Sequence, residues 1–230
     1  GMTPLVAQAD SDNKPLFGAM VFKNGMFINA VTGLLLFGLV WAGSYLTPYL
    51  GQEDAVSQLC EPYLRVVNVS GLFFIAFQTF RQFAEGMSRT VWAMALSIGV
   101  NLINIGLNYL FIFGYGPIPA MGLMGAGYAT LIARFLMALV MAWYVLKHPH
   151  FKVIMQEWKN SFLEWATMQR ILNIGIPSGL QYLFEIGAFA IAAVMIGWLG
   201  AEALAAHQIA LSIAAATYML ASGIAAASTV

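Results

Sequence analysis

Glu185 is a carboxylate near the middle of the nearly unbroken apolar stretch GLQYLFEIGAFAIAAVMIGWLG, residues 179–200. A charged side chain at the centre of a membrane helix costs about 2.5–3.5 kcal/mol on insertion scales. It is kept only with compensation: a proton, a metal ion or a buried partner. A proton removes the cost of desolvating the charge, and carboxylate oxygens suit a hard cation such as sodium. Both are exchangeable, which would make the residue useful. The structural alternative is a glutamate paired permanently to an arginine or hydrogen-bonded to Tyr and Gln neighbours. Gln181 stands one turn earlier on the same helix face and is either a co-ligand or a packing hydrogen bond.

A second polar group lies in NLINIGLNYLFIFG, residues 101–114. Asn101, Asn104 and Asn108 are spaced by three and four, so they share one helix face. Three amides in hydrocarbon must meet something polar. That is a water-filled cavity, or interhelical hydrogen bonding worth about 0.6–2 kcal/mol per contact. Arg81 and Glu85, four apart in FRQFAEG with Arg89 nearby, predict a local salt bridge, gating being the functional alternative. His207 and Gln208 in AAHQIA stand early in the last apolar segment, where a lone histidine is more often a satisfied core residue than a ligand. His148 and His150 flank Pro149 and receive no role. Cys60 is the only cysteine, which excludes an internal disulfide and a cysteine-rich metal site. The 13 Met and 16 Phe suit either an adaptable pocket for greasy ligands or ordinary lipid and core packing.

Positioning these groups requires helices that cross a bilayer. Only 9% of the 230 residues are charged and 60% are hydrophobic, against about 25% charged in a soluble domain. That leaves too little polar surface for a water-soluble globule. From Thr90 to Ala133 the chain carries no charge, which is room for two crossings of about 20 residues each, with GYGPIPAMG as the turn. Net charge is zero and no basic run occurs, so nothing points to nucleic acid. The spacing predicts crossings at 24–48, 62–80, 91–113, 122–146, 173–199 and 204–230, with residues 1–9 as the end of an earlier helix. The opening GMTPLVAQ has no charged n-region, so no signal peptide is expected. SGIAAASTV stops inside an apolar helix, so a longer protein is expected.

Lys and Arg alternate between connections. Residues 10–23 hold Lys14 and Lys23, and 49–61 hold none. Arg81 and Arg89 flank the third connection, and 114–121 hold none. The fifth carries Lys147, Lys152, Lys159 and Arg170, and the sixth, around Glu202, none. This alternation predicts that the basic loops are cytoplasmic. Residues 147–172 form the one long polar connection. Within it Phe151, Met155, Trp158, Phe162 and Trp165 recur at threes and fours, predicting an amphipathic helix, either at the membrane interface or packed on protein.

GIPSGLQYLFEIGAFA followed by LGAEALAAHQIA, with FRQFAEG, NIGLNYLFIFG and PAMGLMGAGYAT upstream, resembles the multidrug and toxic compound extrusion (MATE) transporters of the NorM-like bacterial branch. The likeness covers the whole chain. It implies an all-α, polytopic transmembrane helix bundle of about six full spans plus a stub, forming part of a twelve-helix, two-lobe transporter. On that plan residues 1–146 are the later part of the N-terminal lobe, from the end of helix 2 through helix 6. Residues 147–172 are the inter-lobe linker, and 173–230 begin the C-terminal lobe with helices 7 and 8. The glycines of residues 122–127 are interrupted by Leu123 and Met124, a departure that touches local packing.

The resemblance implies a cation-coupled efflux antiporter of the bacterial inner membrane. It would export organic cations and drugs by alternating access in exchange for Na+ or H+, with no other cofactor. Glu185 matches the helix 7 glutamate that takes the coupling cation, possible Na+ ligation included. Gln208 matches a substrate-facing position of helix 8, Asn104 and Asn108 match polar positions of helix 5, and Gln181 is a further cavity candidate. The acidic residues of family helices 1 and 10 belong to the missing remainder of the transporter chain, so the ion site is incomplete here. Two rivals remain. A lipid-linked precursor flippase would favour an Arg-lined cavity, and Arg134 is the only Arg well inside a predicted crossing. A polytopic membrane enzyme would need a catalytic pair or metal cluster, and Glu185 has no His or Asp companion in its segment.

Overall fold

The computed structural model describes residues 1–45, 54–197 and 200–227. Among them every regular element is helical: α1 (Thr3–Ser11), α2 (Pro15–Ser44), α3 (Asp54–Gly86), α4 (Thr90–Phe113), α5 (Gly122–Lys147), a 3₁₀ turn (Pro149–Phe151), α6 (Lys152–Gln156), α7 (Trp165–Gly197) and α8 (Ala201–Ala227). Six of these helices, α2, α3, α4, α5, α7 and α8, are long and apolar enough to cross a bilayer. The chain is thus an all-α, polytopic membrane protein, with α1 as the stub expected before the first crossing.

Several helices outrun their apolar windows. α2 begins at Pro15 rather than near residue 24, α3 runs to Gly86 rather than 80, and α7 starts at Trp165 rather than 173. Hydropathy marks the part of a helix that hydrocarbon demands. The backbone ladder continues for as long as its hydrogen bonds close. Pro15 suits the first turn of α2 because that position needs no N–H. The predicted ends at 46–48, 198–199 and 228–230, and residues 49–53 of the second connection, lie outside the described residues.

The chain divides into two units, Gly1–Gly175 and Ile176–Val230. In the first, α5 packs along both α3 and α4, α2 packs on α3, and α1 rests on α2 and α3. The core gathers at one end, where the start of α2, the ends of α3 and α5, and the linker converge. There Phe22 stacks on Phe83 with ring centroids 4.2 Å apart and meets Trp158 edge-on at 5.6 Å. Toward the other end of α2, Leu34, Leu35 and Leu39 are exposed. Two side-chain hydrogen bonds tie α2 to α3, Asn29 Nδ2 to Thr79 Oγ1 at 2.8 Å and Asn68 Nδ2 to the Phe37 carbonyl at 2.9 Å. The second unit holds the remainder of α7 and α8, with Gly200 at φ +117° between them.

The turn between α4 and α5 depends on close backbone approach. The Met121 N–H donates to the Phe111 carbonyl at 2.9 Å, and a Cβ at Gly125 would sit 2.4 Å from that same oxygen. Only glycine fits there. The interruption by Leu123 and Met124 leaves this approach intact.

The linker departs from the single amphipathic helix that its apolar spacing predicts. Helix α6 ends at Gln156, and residues 157–164 are turns and irregular chain. Phe151 and Ile154 are buried, and Met155 and Trp158 pack on the same core, whereas Phe162 and Trp165 are exposed. The first half of the stripe is therefore a helix packed on protein. The second half is held in non-helical form because α2 supplies its backbone partners. Lys23 Nζ donates to the Ser161 carbonyl at 2.7 Å, and Asn24 Nδ2 to the Phe162 carbonyl at 3.1 Å.

Candidate functional site

Glu185 lies well inside α7, a helix of 33 residues that carries Pro177 in its interior. A proline there has no N–H to give and leaves the Asn173 carbonyl without its intrahelical donor. Pro177, Gln181 and Glu185 follow at four-residue steps, so both polar side chains rise from the helix above this break. Glu185 is half-buried and Gln181 exposed. The ion pairs among the described residues are Lys14–Asp12, Arg65–Glu61 and Arg81–Glu85, so Glu185 carries no basic partner there. Nor do the described residues hold a group of three His, Cys, Asp or Glu that could grip a metal ion.

On α8, Gln208 is exposed, and its main-chain carbonyl accepts from Ser212 Oγ at 2.8 Å. The Nε2 of His207 is buried without a hydrogen-bond partner among the described residues.

The asparagine row is on α4. Asn108 Nδ2 donates to Asn104 Oδ1 at 3.0 Å, so two of the three amides satisfy each other along the helix. Asn101 and Asn104 line a cavity of about 390 Å3 in the cleft between α3 and α4, floored by α5. Its other polar walls are Ser97, Thr130, Arg81 and Arg134. The cleft exists because α5 packs along both neighbours while α3 and α4 touch each other little. Asn108 is not among the lining residues.

The salt bridge expected at FRQFAEG forms, with Arg81 Nε 2.6 Å from Glu85 Oε1. Arg89 turns instead to His150, its Nη2 3.3 Å from Nδ1 of that ring. Sequence reasoning passed over Arg65, which lies inside the α3 crossing, pairs with Glu61 and stacks over the Trp41 ring at 5.3 Å. The four-residue spacing of Glu61 and Arg65 is the signal that could have found it. Arg134, noted only as a basic residue inside a crossing, proves to donate from Nη1 to Ser70 Oγ at 2.8 Å and to lie 5.2 Å from the Phe74 ring centroid.

Six spanning helices with amides, a carboxylate and arginines within them define a multi-pass membrane protein with polar groups set along its crossings. The chain belongs to the MatE family of transport proteins, whose profile matches residues 1–110 and 177–230. It is similar, at 29% identity over 230 residues, to the multidrug resistance protein MdtK of Edwardsiella ictaluri (strain 93-146). The same identity relates it to the MdtK proteins of Photorhabdus laumondii subsp. laumondii and Yersinia pestis (strain Pestoides F). All of this chain is covered in each comparison, and it spans about half the length of the curated relatives it matches.

Proposed function

We propose that this chain is part of a cation-coupled multidrug efflux antiporter of the bacterial inner membrane, exporting organic cations and drugs by alternating access. The observation that carries the reading is Glu185: a half-buried carboxylate within an apolar spanning helix, without an ion pair among the described residues. An acid kept in such a place pays its desolvation cost by holding an exchangeable guest. Glu185 takes up Na+ or H+, and cargo releases it on the return movement. Coupling requires that the cation bind the two access states with different affinity. Family membership and the names of the relatives support drug export.

Gln181 and Gln208 serve as cargo-facing groups of the second lobe, and Asn104 and Asn108 of the first. Residues 1–146 belong to the N-terminal lobe, 147–172 to the inter-lobe linker and 173–230 to the C-terminal lobe. That the family match falls in two segments, 1–110 and 177–230, supports this division. The loops bearing Lys14, Arg89, Lys147 and Lys159 face the cytoplasm.

The test is efflux of ethidium from proteoliposomes containing the full-length protein, driven by a sodium or proton gradient. Glu185→Gln should lower gradient-driven efflux at least tenfold, and Glu185→Asp should retain part of it. Undiminished coupled efflux by Glu185→Gln rejects the role.

A further inference from the structure

A second concave surface, apart from the asparagine cleft, runs along α4 and α5. It is an apolar groove of about 380 Å3, with Trp92, Leu96, Gly99 and Ile103 of α4 and Val140 and Tyr144 of α5 among its walls. Of its lining residues only Val100 also borders the asparagine cleft. The groove starts at the first turn of α4, and from Trp92 to Ile103 it follows about 17 Å of helix. That is close to one leaflet of a hydrocarbon core roughly 30 Å thick. We propose that this groove seats an acyl chain of an anionic glycerophospholipid, whose phosphate is held at the mouth by Arg89 and the first turn of α4.

The mouth carries positive charge and open donors. Arg89 is the exposed N-cap residue of α4, and its side chain does not cap the helix. The first-turn N–H groups have no intrahelical partner and suit an oxyanion. Arg89 is in none of the ion pairs among the described residues. Its Nη2 lies 3.3 Å from His150 Nδ1, which leaves most of the guanidinium N–H groups to spend. Lys147, in the last turn of α5, adds a second exposed cation. No carboxylate lines the groove, and Glu85, the acid four residues before Arg89, is bound to Arg81. A guanidinium makes strong charge-assisted hydrogen bonds to phosphate. Tyr144 stands at the same end, its hydroxyl buried without a hydrogen-bond partner among the described residues. A phosphate or ester oxygen entering there gives that hydroxyl the acceptor it lacks.

The groove itself suits a lipid chain. Glycine is a poor helix former, yet Gly99 stands inside α4, where an added Cβ would meet nothing within 4 Å. Close packing among the described residues therefore does not call for it, whereas an occupant lying in the groove does. Trp92 and Trp143 are exposed near the mouth, the residue type that settles at headgroup level. Toward the other end α4 and α5 close on each other, Gly125 lying against the Phe111 carbonyl. A packed crossing helix needs contact through the whole span, but a lipid needs it through one leaflet only. The site is separate from the exporter reading and does not depend on it.

The experiment is native mass spectrometry of the full-length protein, titrated with palmitoyl-oleoyl phosphatidylglycerol or with phosphatidylcholine of the same chains. Wild type should bind its first phosphatidylglycerol about tenfold or more tightly than its first phosphatidylcholine. Arg89→Gln should erase most of that preference, whereas Lys14→Gln, which removes a charge from a different loop, should keep it. Gly99→Leu fills the groove and should weaken phosphatidylglycerol binding about tenfold. Should that variant fail to fold, Val140→Trp fills the groove from α5 and is read in the same way. Equal affinity of wild type for the two lipids overturns the proposal, as would follow if the remainder of the chain covered the groove. An equal loss of preference in Lys14→Gln and Arg89→Gln also overturns it, since the attraction is then diffuse. Full phosphatidylglycerol affinity in a folded groove-filling variant does so as well, because the headgroup alone is then bound.

Discussion

Asn24 of α2 accepts the backbone N–H of Glu164 on its Oδ1 at 3.0 Å, joining two residues far apart in sequence. The side chain is fully buried, and its Nδ2 also donates to the carbonyls of Met20 and Phe162. One amide thus closes the end of the linker onto the first crossing. Asn24→Ala should cost about 1 kcal/mol or somewhat more by leaving two part-buried backbone groups, the Glu164 N–H and the Phe162 carbonyl, without their side-chain partner. A lowered thermal midpoint of the full-length protein in detergent, together with faster proteolysis between Ser161 and Trp165, is the expected result. An unchanged cleavage rate would show that the linker is held by other means.

Gly125→Ala should be poorly tolerated. The added Cβ would lie 2.4 Å from the Phe111 carbonyl oxygen, a backbone atom that cannot swing aside. The cost expected of such overpacking is about 1–3 kcal/mol. Gly127→Ala makes a useful contrast, because its new Cβ would meet the Tyr63 ring at 3.3 Å, a side chain able to shift. Thermal unfolding of both variants should rank Gly125→Ala as clearly the more damaging.

The amide pair on α4 invites a double-mutant cycle. Asn104→Leu and Asn108→Leu each break the 3.0 Å bond between the two side chains. A coupling energy of about 0.6–2 kcal/mol is expected in the stability of the double variant relative to the two singles. Strict additivity would mean that each amide is satisfied elsewhere in the complete protein.

Phe22 is the hub of the packed end. It is 1% exposed and touches the rings of Phe80, Phe83 and Trp158. Phe22→Ala should cost about 3–5 kcal/mol, and Phe22→Leu distinctly less, since most of the volume is kept. The measurement is again the unfolding midpoint of the full-length protein.

The spacing of charges made the crossings legible, because a bilayer demands about 20 apolar residues in succession and tolerates few exceptions. Helix ends were less legible. Pro15 opens α2 and Trp165 opens α7 on the far side of Lys23 and Arg170, the charges that set the expected bounds, yet the backbone ladder runs through them. The linker shows a different limit. The three- and four-residue spacing of Phe151, Met155 and Trp158 correctly marks side chains that pack together. The same spacing at Phe162 and Trp165 carries no such packing, because Lys23 and Asn24 capture the intervening carbonyls. The pair Arg81–Glu85 was readable because both members sit on one helix turn.

From residue order alone came the all-helical class, the six crossings, the basic alternation of the loops and the singling out of Glu185, Gln181, Gln208 and the asparagines. The class, the crossings, the loop alternation, Glu185, Gln181 and the asparagines follow from local hydropathy and helical period, which need no knowledge of neighbours, whereas Gln208 was singled out by the family resemblance. Tertiary structure alone decided that Asn101 and Asn104 share a cleft with Arg134, that Ser70 and Phe74 orient its guanidinium, and that Asn24 closes the linker. These groups come from different elements, and only the packing of α5 along both α3 and α4, and of the linker against α2, brings them together.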